Sequence, residues 1–296
     1  MLNHLNAAPK KPSRVVILGA GGFIAGAIAR ALESDAIAVH RLGRPRLDLL
    51  SADAAAKLNA ELRSDDVVVF ASAKAPCRNL AMLSENLVMA DAVCAALKAR
   101  PVAQVIYVSS DAVYQDSMEP LTEASCAAPG SYHGVMHLAR EVALAQEYAG
   151  PLSIVRPTLV YGLDDPHNGY GPNRFRRLAA EGKDIVLFGE GEERRDHVDV
   201  EDLAELVRLL VVHRSRGVAN AVSGQVVSFR ELAEFAASEF GGRASVKSSP
   251  RSGSMPHNGY RPFDNHAVLA AFPGFRFKGW REGLARVHAR QKAGKT

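Results

Sequence analysis

Cysteine is scarce in this chain, and no two cysteines stand at metal-binding spacing. Cys77, Cys94 and Cys126 are the three cysteines among 296 residues. An odd number without a C-x-x-C pair argues against a disulfide framework and against a zinc ribbon. We therefore expect a reducing, cytoplasmic compartment, and we predict no metal site.

Long apolar segments and strongly basic stripes are also missing. No apolar run approaches the roughly 18 residues that span a membrane, and the N-terminal segment lacks the apolar core of a secretory signal. The net charge of +4 suits anionic small ligands such as nucleotides, but no DNA-reading motif accompanies it. The sequence thus predicts a globular protein that binds neither membrane nor nucleic acid.

A glycine-rich turn lies near the start of the chain, between a strand and a helix. Val15–Leu18 is a short apolar run typical of a strand buried on both faces. Gly19 and Gly22 follow, and apolar residues recur at helical spacing from Phe23 and Ile24 onward. Glycine suits a diphosphate site because backbone amides and the helix N-terminus must approach the charge closely. The G-x-x-G-x-x-A spacing therefore predicts a dinucleotide site, with an ordinary glycine-rich turn as the alternative.

Arginine, not an acid, follows the second expected strand at 36–39. The end of this strand faces the adenosine ribose, where an acid would bind the 2′-hydroxyl of NAD and an arginine the 2′-phosphate of NADP. Arg41 and Arg44 therefore favour NADP, with NAD as the other option and solvated surface arginines as the alternative. The remaining expected cofactor contacts lie in two later segments. Asp48 and Leu49 precede the next helix, and Ala71, Ser72 and Ala73 lie at the C-terminal end of the strand expected at 67–71.

Four apolar strands alternate with helical segments in the first half of the chain. They are expected at 15–18, 36–39, 67–71 and 105–108. This alternation predicts an α/β fold with a doubly wound parallel Rossmann sheet. Beyond residue 162 the pattern loosens, and Ser228 with Glu231 forms a capping box that opens a later helix. We assign 13–163 and 195–224 to a NAD(P)-binding domain, and 164–194 and 225–296 to a smaller substrate-binding lobe.

Three further motifs stand in order along the chain. Residues 109–114 read S-S-D-A-V-Y, residues 156–162 read R-P-T-L-V-Y-G, and residues 195–198 read R-D-H-V. Together with the glycine turn they resemble the extended short-chain dehydrogenase/reductase superfamily, in particular its NAD(P)-dependent nucleotide-sugar epimerases and dehydratases. The resemblance implies a nicotinamide cofactor and a nucleotide-sugar substrate. Relatives of this kind often dimerise through helices equivalent to 84–99 and 132–148, so a homodimer is one expectation.

The catalytic pattern of this family is altered here. In the family a Ser or Thr at the position of Ser110 contacts the reacting sugar oxygen, and a Tyr-x-x-x-Lys pair supplies acid/base chemistry. In one register Tyr132 takes the tyrosine place and Met136 the lysine place. In the other, which we prefer because it keeps the following glycine, His133 and His137 take them.

Histidine at this position can move protons without a lysine. An imidazole titrates near pH 6.5, so we expect His133 as the acid/base, with His137 contacting the cofactor ribose or orienting His133. The alternative is two surface histidines with no proton-transfer role. Asp111 matches the first acid of a dehydratase Asp-Glu pair, but Ala112 follows it, which places epimerisation or 4-keto reduction above dehydration. A non-catalytic binding protein and a hydride-independent sugar epimerase or isomerase stay open.

The expected substrate contacts are arginine and amide side chains, which suit a diphosphate. The resemblance implies Arg195 as a phosphate-binding arginine, and Asn173 and Arg174 as members of a loop that reaches the same diphosphate. Arg261 is a weaker candidate for that anion. Surface salt bridges or turn positions are the alternative for all four residues.

Overall fold

Strands and helices alternate along residues 2–294, the part of the chain that the computed structural model describes. The strands are β1 (Asn3–His4), β2 (Val15–Leu18), β3 (Val39–Leu42), β4 (Val67–Phe70), β5 (Gln104–Val108), β6 (Leu152–Pro157), β7 (Leu159–Tyr161), β8 (Ile185–Phe188), β9 (Arg194–Asp199), β10 (Ser215–Ala221), β11 (Val226–Ser228), β12 (Val246–Ser249) and β13 (Tyr260–Arg261). The helices are α1 (Phe23–Ser34), α2 (Ala54–Glu61), α3 (Leu80–Ala99), α4 (Tyr132–Glu147), α5 (Pro172–Glu181), α6 (Val200–Val212), α7 (Phe229–Glu239), α8 (His266–Ala271) and α9 (Trp280–Ala293).

A seven-stranded sheet in the order β1-β10-β6-β5-β4-β2-β3 forms the centre of the large domain. Its strands are parallel except β1, which pairs antiparallel with β10 at one edge. β2, β4 and β5 are buried along their whole lengths, as expected for strands covered on both faces. Helices α1, α6 and α8 cover one face, and α2, α3 and α4 cover the other. The doubly wound parallel α/β fold is therefore confirmed.

The register of the sheet brings three loops to one edge. Leu18 of β2 pairs with Phe70 of β4, which pairs with Tyr107 of β5. Because parallel strands end together, the glycine turn after β2, the segment 71–73 after β4 and the segment 109–111 after β5 converge there. This edge is where ligands bind in open α/β sheets.

The smaller lobe has its own apolar core. Short sheets built on β9 and β8 pack with α5, α7 and α9 around this core. The expected capping box opens α7, since Ser228 Oγ accepts from Glu231 N–H at 3.1 Å and Glu231 accepts from Ser228 N–H at 3.0 Å. The domain limits given above stay a prediction. They assign 195–224 to the NAD(P)-binding domain, whereas β9 pairs with β11 and β13 in a sheet of the lobe. Residues 295 and 296 of the last segment lie outside the described part.

Two parts of the sheet differ from the expectation from sequence. One is β3, the second strand of the motif, and the other is the edge formed by β1 and β10. The second strand of the motif occupies Val39–Leu42 rather than 36–39, because the chain first turns through Ala36, whose φ is 54°. Neither β1 nor β10 is predicted by hydrophobic periodicity. The polar N-terminal segment forms β1 by pairing its backbone with that of β10, an interaction that side-chain pattern does not encode.

Helix α3 is longer than the sequence predicts. It begins at Leu80 rather than 84, where the Asn79 side chain caps it by accepting from Met82 N–H at 2.9 Å. By length and composition alone, α3 could cross a membrane, which corrects the expectation that no segment reaches that length. In the fold its inner face packs against α2 and α4.

His288 of α9 is a polar residue inside the apolar core of the lobe. Its side chain is 1% exposed, and neither ring nitrogen has a hydrogen-bond partner among the described residues. The ring packs 5.6 Å from Phe235 and 5.3 Å from Phe240, measured between centroids. Burial lowers the pKa of His288 to about 4. The unfolded chain therefore binds this proton at a higher pH than the native protein does.

We predict that His288→Phe stabilises the protein more as the pH falls. The histidine is neutral in both states at pH 7, but below about 6.5 its protonation favours the unfolded state until the native pKa is reached. The gain in unfolding free energy should reach about 2 to 3 kcal/mol near pH 4.5, since one pKa unit corresponds to about 1.4 kcal/mol. Urea denaturation at several pH values measures it. His288→Gln, which cannot titrate or fill the site as well, should show the same trend without a gain at pH 7; a difference that does not vary with pH would contradict the prediction.

Candidate functional site

A cavity of about 450 Å³ opens where the glycine turn meets the edge of the sheet. It brings together most of the expected cofactor contacts, namely Gly19, Gly22, Arg44, Asp48, Leu49, Ala71, Ser72 and Ala73. The backbone of this turn cannot carry a side chain at its first position. Gly19 has a φ of +86°, and a Cβ there would lie 2.8 Å from the Ser72 Cα. The turn thus packs directly on the β4 loop, and the N-terminus of α1 opens beside it, an arrangement that fits an anionic dinucleotide.

Arg41 and Arg44 differ in position. The Arg41 guanidinium binds Glu33 of α1 at 2.7 and 2.9 Å on the surface and does not line the cavity. Its role as a cofactor contact stays a prediction. Arg44 is exposed and lines the cavity.

A second cavity, of about 350 Å³, lies between the large domain and the lobe. Phe23 and Ile24, the last two expected cofactor contacts, line this cavity rather than the first one. His133 faces them from α4. Asn173, in the lobe segment 164–194, and His197 of β9 also line this cavity. The glycine turn therefore borders the first cavity, and the start of α1, which follows it directly, borders the second.

Helix α4 presents His133, and not Tyr132, to this cleft. Tyr132 is 47% exposed and lines neither cavity. Gly134, the residue after His133, fixes this rotation, because a Cβ there would overlap the carbonyl oxygen of Ala112. His133 Nδ1 accepts a hydrogen bond from Cys77 N–H at 3.3 Å, so the neutral ring carries its proton on Nε2.

His137 lies one helical turn further, against His133. The two rings meet edge to face with centroids 4.7 Å apart. Tyr107 Oη lies 2.8 Å from His137 Nδ1, and burial raises the pKa of Tyr107 to about 12, so the phenol donates this bond. Burial also lowers the pKa of His137 well below its usual 6.5, and the neighbouring His133 lowers it further. His137 is therefore a neutral ring whose orientation the tyrosine fixes.

Burial lowers the pKa of His133 as well. The nearby Asp111 carboxylate opposes this shift but does not cancel it. His133 is consequently neutral at pH 7, and it can offer a hydrogen bond from Nε2. For the ring to hold a second proton, Nδ1 must first release the Cys77 amide.

Ser110 and Asp111 form a compact turn with two expected substrate arginines. Ser110 Oγ accepts from Ala112 N–H at 3.2 Å and lies 3.3 Å from Asp111 Oδ1. Asp111 Oδ2 lies 3.2 Å from Arg261 Nε and 3.8 Å from Arg195 Nη2. The site thus holds a carboxylate against both guanidinium groups.

Arg261 is buried and holds the turn that carries Asp111, and its role as a substrate contact stays a prediction. Its side chain is 1% exposed, and Nη2 donates to the carbonyl of Asp111 at 2.7 Å. Nη1 binds Asp116, so the guanidinium is fully used in holding this turn. Arg195 is also buried, but its Nε has no partner within residues 2–294.

Asn173 holds a loop, while Arg174 lies apart from both cavities. Asn173 Oδ1 accepts from Gly162 N–H at 3.1 Å, and its Nδ2 donates to Asp165 at 2.8 Å. Its amide is therefore engaged, although it lines the second cavity. Arg174 is exposed on the outer side of α5, because the helix that begins at Pro172 turns it away from Asn173.

Two buried polar groups near the site were not predicted as site residues. Glu141 binds Arg156 through both oxygens, at 3.0 and 2.5 Å, and accepts from Ser109 Oγ at 2.5 Å. Asn86 clamps the backbone of Lys74, accepting from its N–H at 3.0 Å and donating to its carbonyl at 3.1 Å. Asn86 could have been found from the sequence, because it is a lone asparagine within the apolar helix α3.

Comparisons with known proteins agree with this architecture. A UDP-glucose 4-epimerase from Thermus thermophilus, solved with NAD, superposes with a TM-score of 0.83 at 22% identity, covering 94% of this chain and 99% of that one. A GDP-L-fucose synthetase from Naegleria fowleri bound to NADP gives 0.81 at 17% identity, covering 99% and 98%. At these identities the likeness concerns the fold alone.

Comparisons of sequence indicate the protein family as well as the fold. A dTDP-L-rhamnose 4-epimerase from Burkholderia thailandensis is 30% identical over 139 residues, which is 44% of this chain and 38% of that protein. The model of the NAD dependent epimerase/dehydratase family matches residues 15–223, well over half of the chain. The glycine turn, the S-S-D-A-V-Y segment and the R-D-H-V segment all lie within that match. The chain belongs to the NAD dependent epimerase/dehydratase family.

Proposed function

We propose that this chain is an NAD(P)-dependent enzyme acting on a nucleotide sugar, as an epimerase or a 4-keto reductase, with His133 in place of the family tyrosine. The observation that carries the proposal is the placement of His133 in the cleft between the glycine turn and the lobe, while Tyr132 lies outside. Relatives named as UDP-glucose and dTDP-L-rhamnose 4-epimerases support the substrate class.

The first cavity would hold the dinucleotide. The turn at Gly19 and the N-terminus of α1 would bind its diphosphate, and Asp48, Leu49 and the segment 71–73 would surround its adenosine. When bound, the nicotinamide supplies hydride transfer at a sugar carbon. We propose NADP as the preferred form, because Arg44 lines the cavity and residues 40–44, at the end of the second strand of the motif, include no acid.

Proton chemistry would fall to the residues of the second cavity. The neutral His133 would donate a hydrogen bond from Nε2 to the reacting sugar oxygen. To transfer that proton, the ring would first take up a second proton on Nδ1, which releases the Cys77 amide, and the transfer would then leave a neutral imidazole. Ser110 would be the second hydrogen-bonding group. Tyr107 and His137 would keep the His133 ring in place through their bond and the edge-to-face contact. Arg195 would contact the substrate diphosphate, since its Nε has no partner within the described residues.

We predict that His133→Gln lowers turnover of the preferred nucleotide sugar by about 100-fold or more, the usual contribution of a positioned acid/base. A panel of UDP-, GDP- and dTDP-sugars with NAD or NADP, followed by product analysis, measures it. Dinucleotide affinity should be unchanged, and Tyr132→Phe should keep wild-type turnover. Full activity of His133→Gln would remove the catalytic role, and binding without turnover in the wild type would indicate a non-catalytic protein.

Arg44→Ser should weaken NADP binding by about 10-fold or more and leave NAD binding within about twofold. The bond between a guanidinium and the 2′-phosphate of NADP is charge-assisted, and NAD, which lacks that phosphate, cannot form it. Arg41→Ser is the matched control, because Arg41 pairs with Glu33 instead. Calorimetric titration of NAD and NADP into the wild type, Arg44→Ser and Arg41→Ser measures these affinities. Equal weakening of NAD and NADP binding in Arg44→Ser would contradict a contact between Arg44 and the 2′-phosphate.

We also propose a homodimer formed through α3 and α4. These neighbouring helices expose several large apolar side chains, namely Leu80, Leu87, Val88, Val135 and Val142. Apolar side chains gathered on one face of a monomer indicate a contact surface. A twofold axis would pair this face with itself, as in most small oligomers.

A Val88→Glu, Val142→Glu double variant should therefore elute as a monomer when the wild type elutes as a dimer. Two buried, unpaired carboxylates per protomer would oppose each association. Light scattering coupled to size exclusion gives the masses. Val186→Glu, at a 53% exposed valine of the lobe, is the control that should stay dimeric. An unchanged mass for the double variant would exclude this face.

A further inference from the structure

Arg140 is one of the largest fully buried side chains of the protein. It lies in the middle of α4, is 0% exposed, and points toward β4 and β5. Its guanidinium carbon lies 4.2 Å from the centroid of the Phe70 ring and 5.5 Å from that of Tyr107. Two aromatic faces therefore surround the cation.

The charge of Arg140 has no acidic partner. Across residues 2–294, no carboxylate lies within ion-pair distance of its guanidinium, and its Nε finds no hydrogen-bond acceptor. Burial lowers the pKa of Arg140, yet a guanidinium stays protonated at neutral pH. Aromatic faces offset part of the desolvation cost of such a cation, but a buried charge is normally retained only with a counter-charge.

The position of the guanidinium connects it to the first cavity. Nη2 donates to the Ser72 carbonyl oxygen at 2.9 Å, and Ser72 lines the cavity. The same residue touches the glycine turn, since its Cα is the atom that a Cβ on Gly19 would meet. One layer of backbone thus separates the cation from the turn that would hold a diphosphate.

We propose that Arg140 is a positioning residue of the cofactor site, whose buried positive charge attracts the diphosphate of the dinucleotide through the wall formed by Ser72. The bound diphosphate is then the counter-charge that the folded chain does not supply. Coulomb attraction falls only inversely with distance and is screened less inside a protein than in water, so one intervening backbone layer does not abolish it. The inference depends on the proposed dinucleotide site.

The test compares the full-length wild type with Arg140→Met, which removes the charge at similar size, and Arg140→Lys, which keeps it. Binding of NADP, NAD, ADP-ribose and adenosine is measured by calorimetry, and thermal unfolding is followed without ligand. ADP-ribose carries the diphosphate without the nicotinamide, and adenosine carries neither. Arg100→Met, at an exposed arginine, controls for the change in net charge.

We expect Arg140→Met to bind NADP, NAD and ADP-ribose at least 10-fold more weakly, to bind adenosine within twofold of wild type, and to unfold at the same temperature or higher. Arg140→Lys should recover most of the affinity. ADP-ribose binding within twofold of wild type would overturn the inference alone. Equal loss of adenosine and ADP-ribose, or a lower unfolding temperature with loss of all ligands, would also overturn it and indicate a role in shaping the cavity. If the wild type binds no dinucleotide, the proposed function fails too.

Discussion

The contact between Gly134 and the carbonyl of Ala112 sets the position of helix α4, and most of the site depends on that helix. With no side chain at Gly134, α4 lies directly on the turn that carries Ser110. Successive turns of its inner face then present His133, His137, Arg140 and Glu141 to the sheet and the cleft. A side chain at this glycine would push all four away from their partners together.

The inner face of α4 is buried and carries several polar side chains, each of which has at least one partner. His137 accepts from Tyr107, Arg140 lies against aromatic rings and the Ser72 carbonyl, and Glu141 binds Arg156. Such groups are costly to bury unless paired, so removal of one partner costs more than the bond itself contributes. The helix is therefore held in one register by specific partners as well as by apolar packing.

The sequence was sufficient for the features that depend on local pattern. Val15–Leu18, the glycine turn and the capping box at Ser228 follow from periodicity and spacing, and the structure has them where expected. The position of His133 in the second cavity agrees with the local feature that favoured its register, the glycine that follows it; its catalytic role stays a proposal. What could not be read depends on neighbours distant in sequence.

Three examples show why. The local sequence does not show that Glu33 of α1 is the ion-pair partner of Arg41. Nor does it show that Arg261 binds the carboxylate of Asp111, 150 residues earlier in the chain. The pairing of β1 with β10 uses backbone groups, which are the same in nearly every residue and therefore do not show in the sequence. In each case the decisive partner is chosen by the topology and not by the local sequence.

The carboxylate of Asp111 has one consequence for the cleft as a whole. Asp111 follows β5 of the seven-stranded sheet, while Arg195 and Arg261 lie on β9 and β13 of the second sheet. Widening the cleft at this point would draw opposite charges apart in a poorly hydrated space, where their attraction is strong. The turn after β5 is thus held electrostatically to the second sheet, and separating the two sheets at this point would leave a buried carboxylate without its counter-charges.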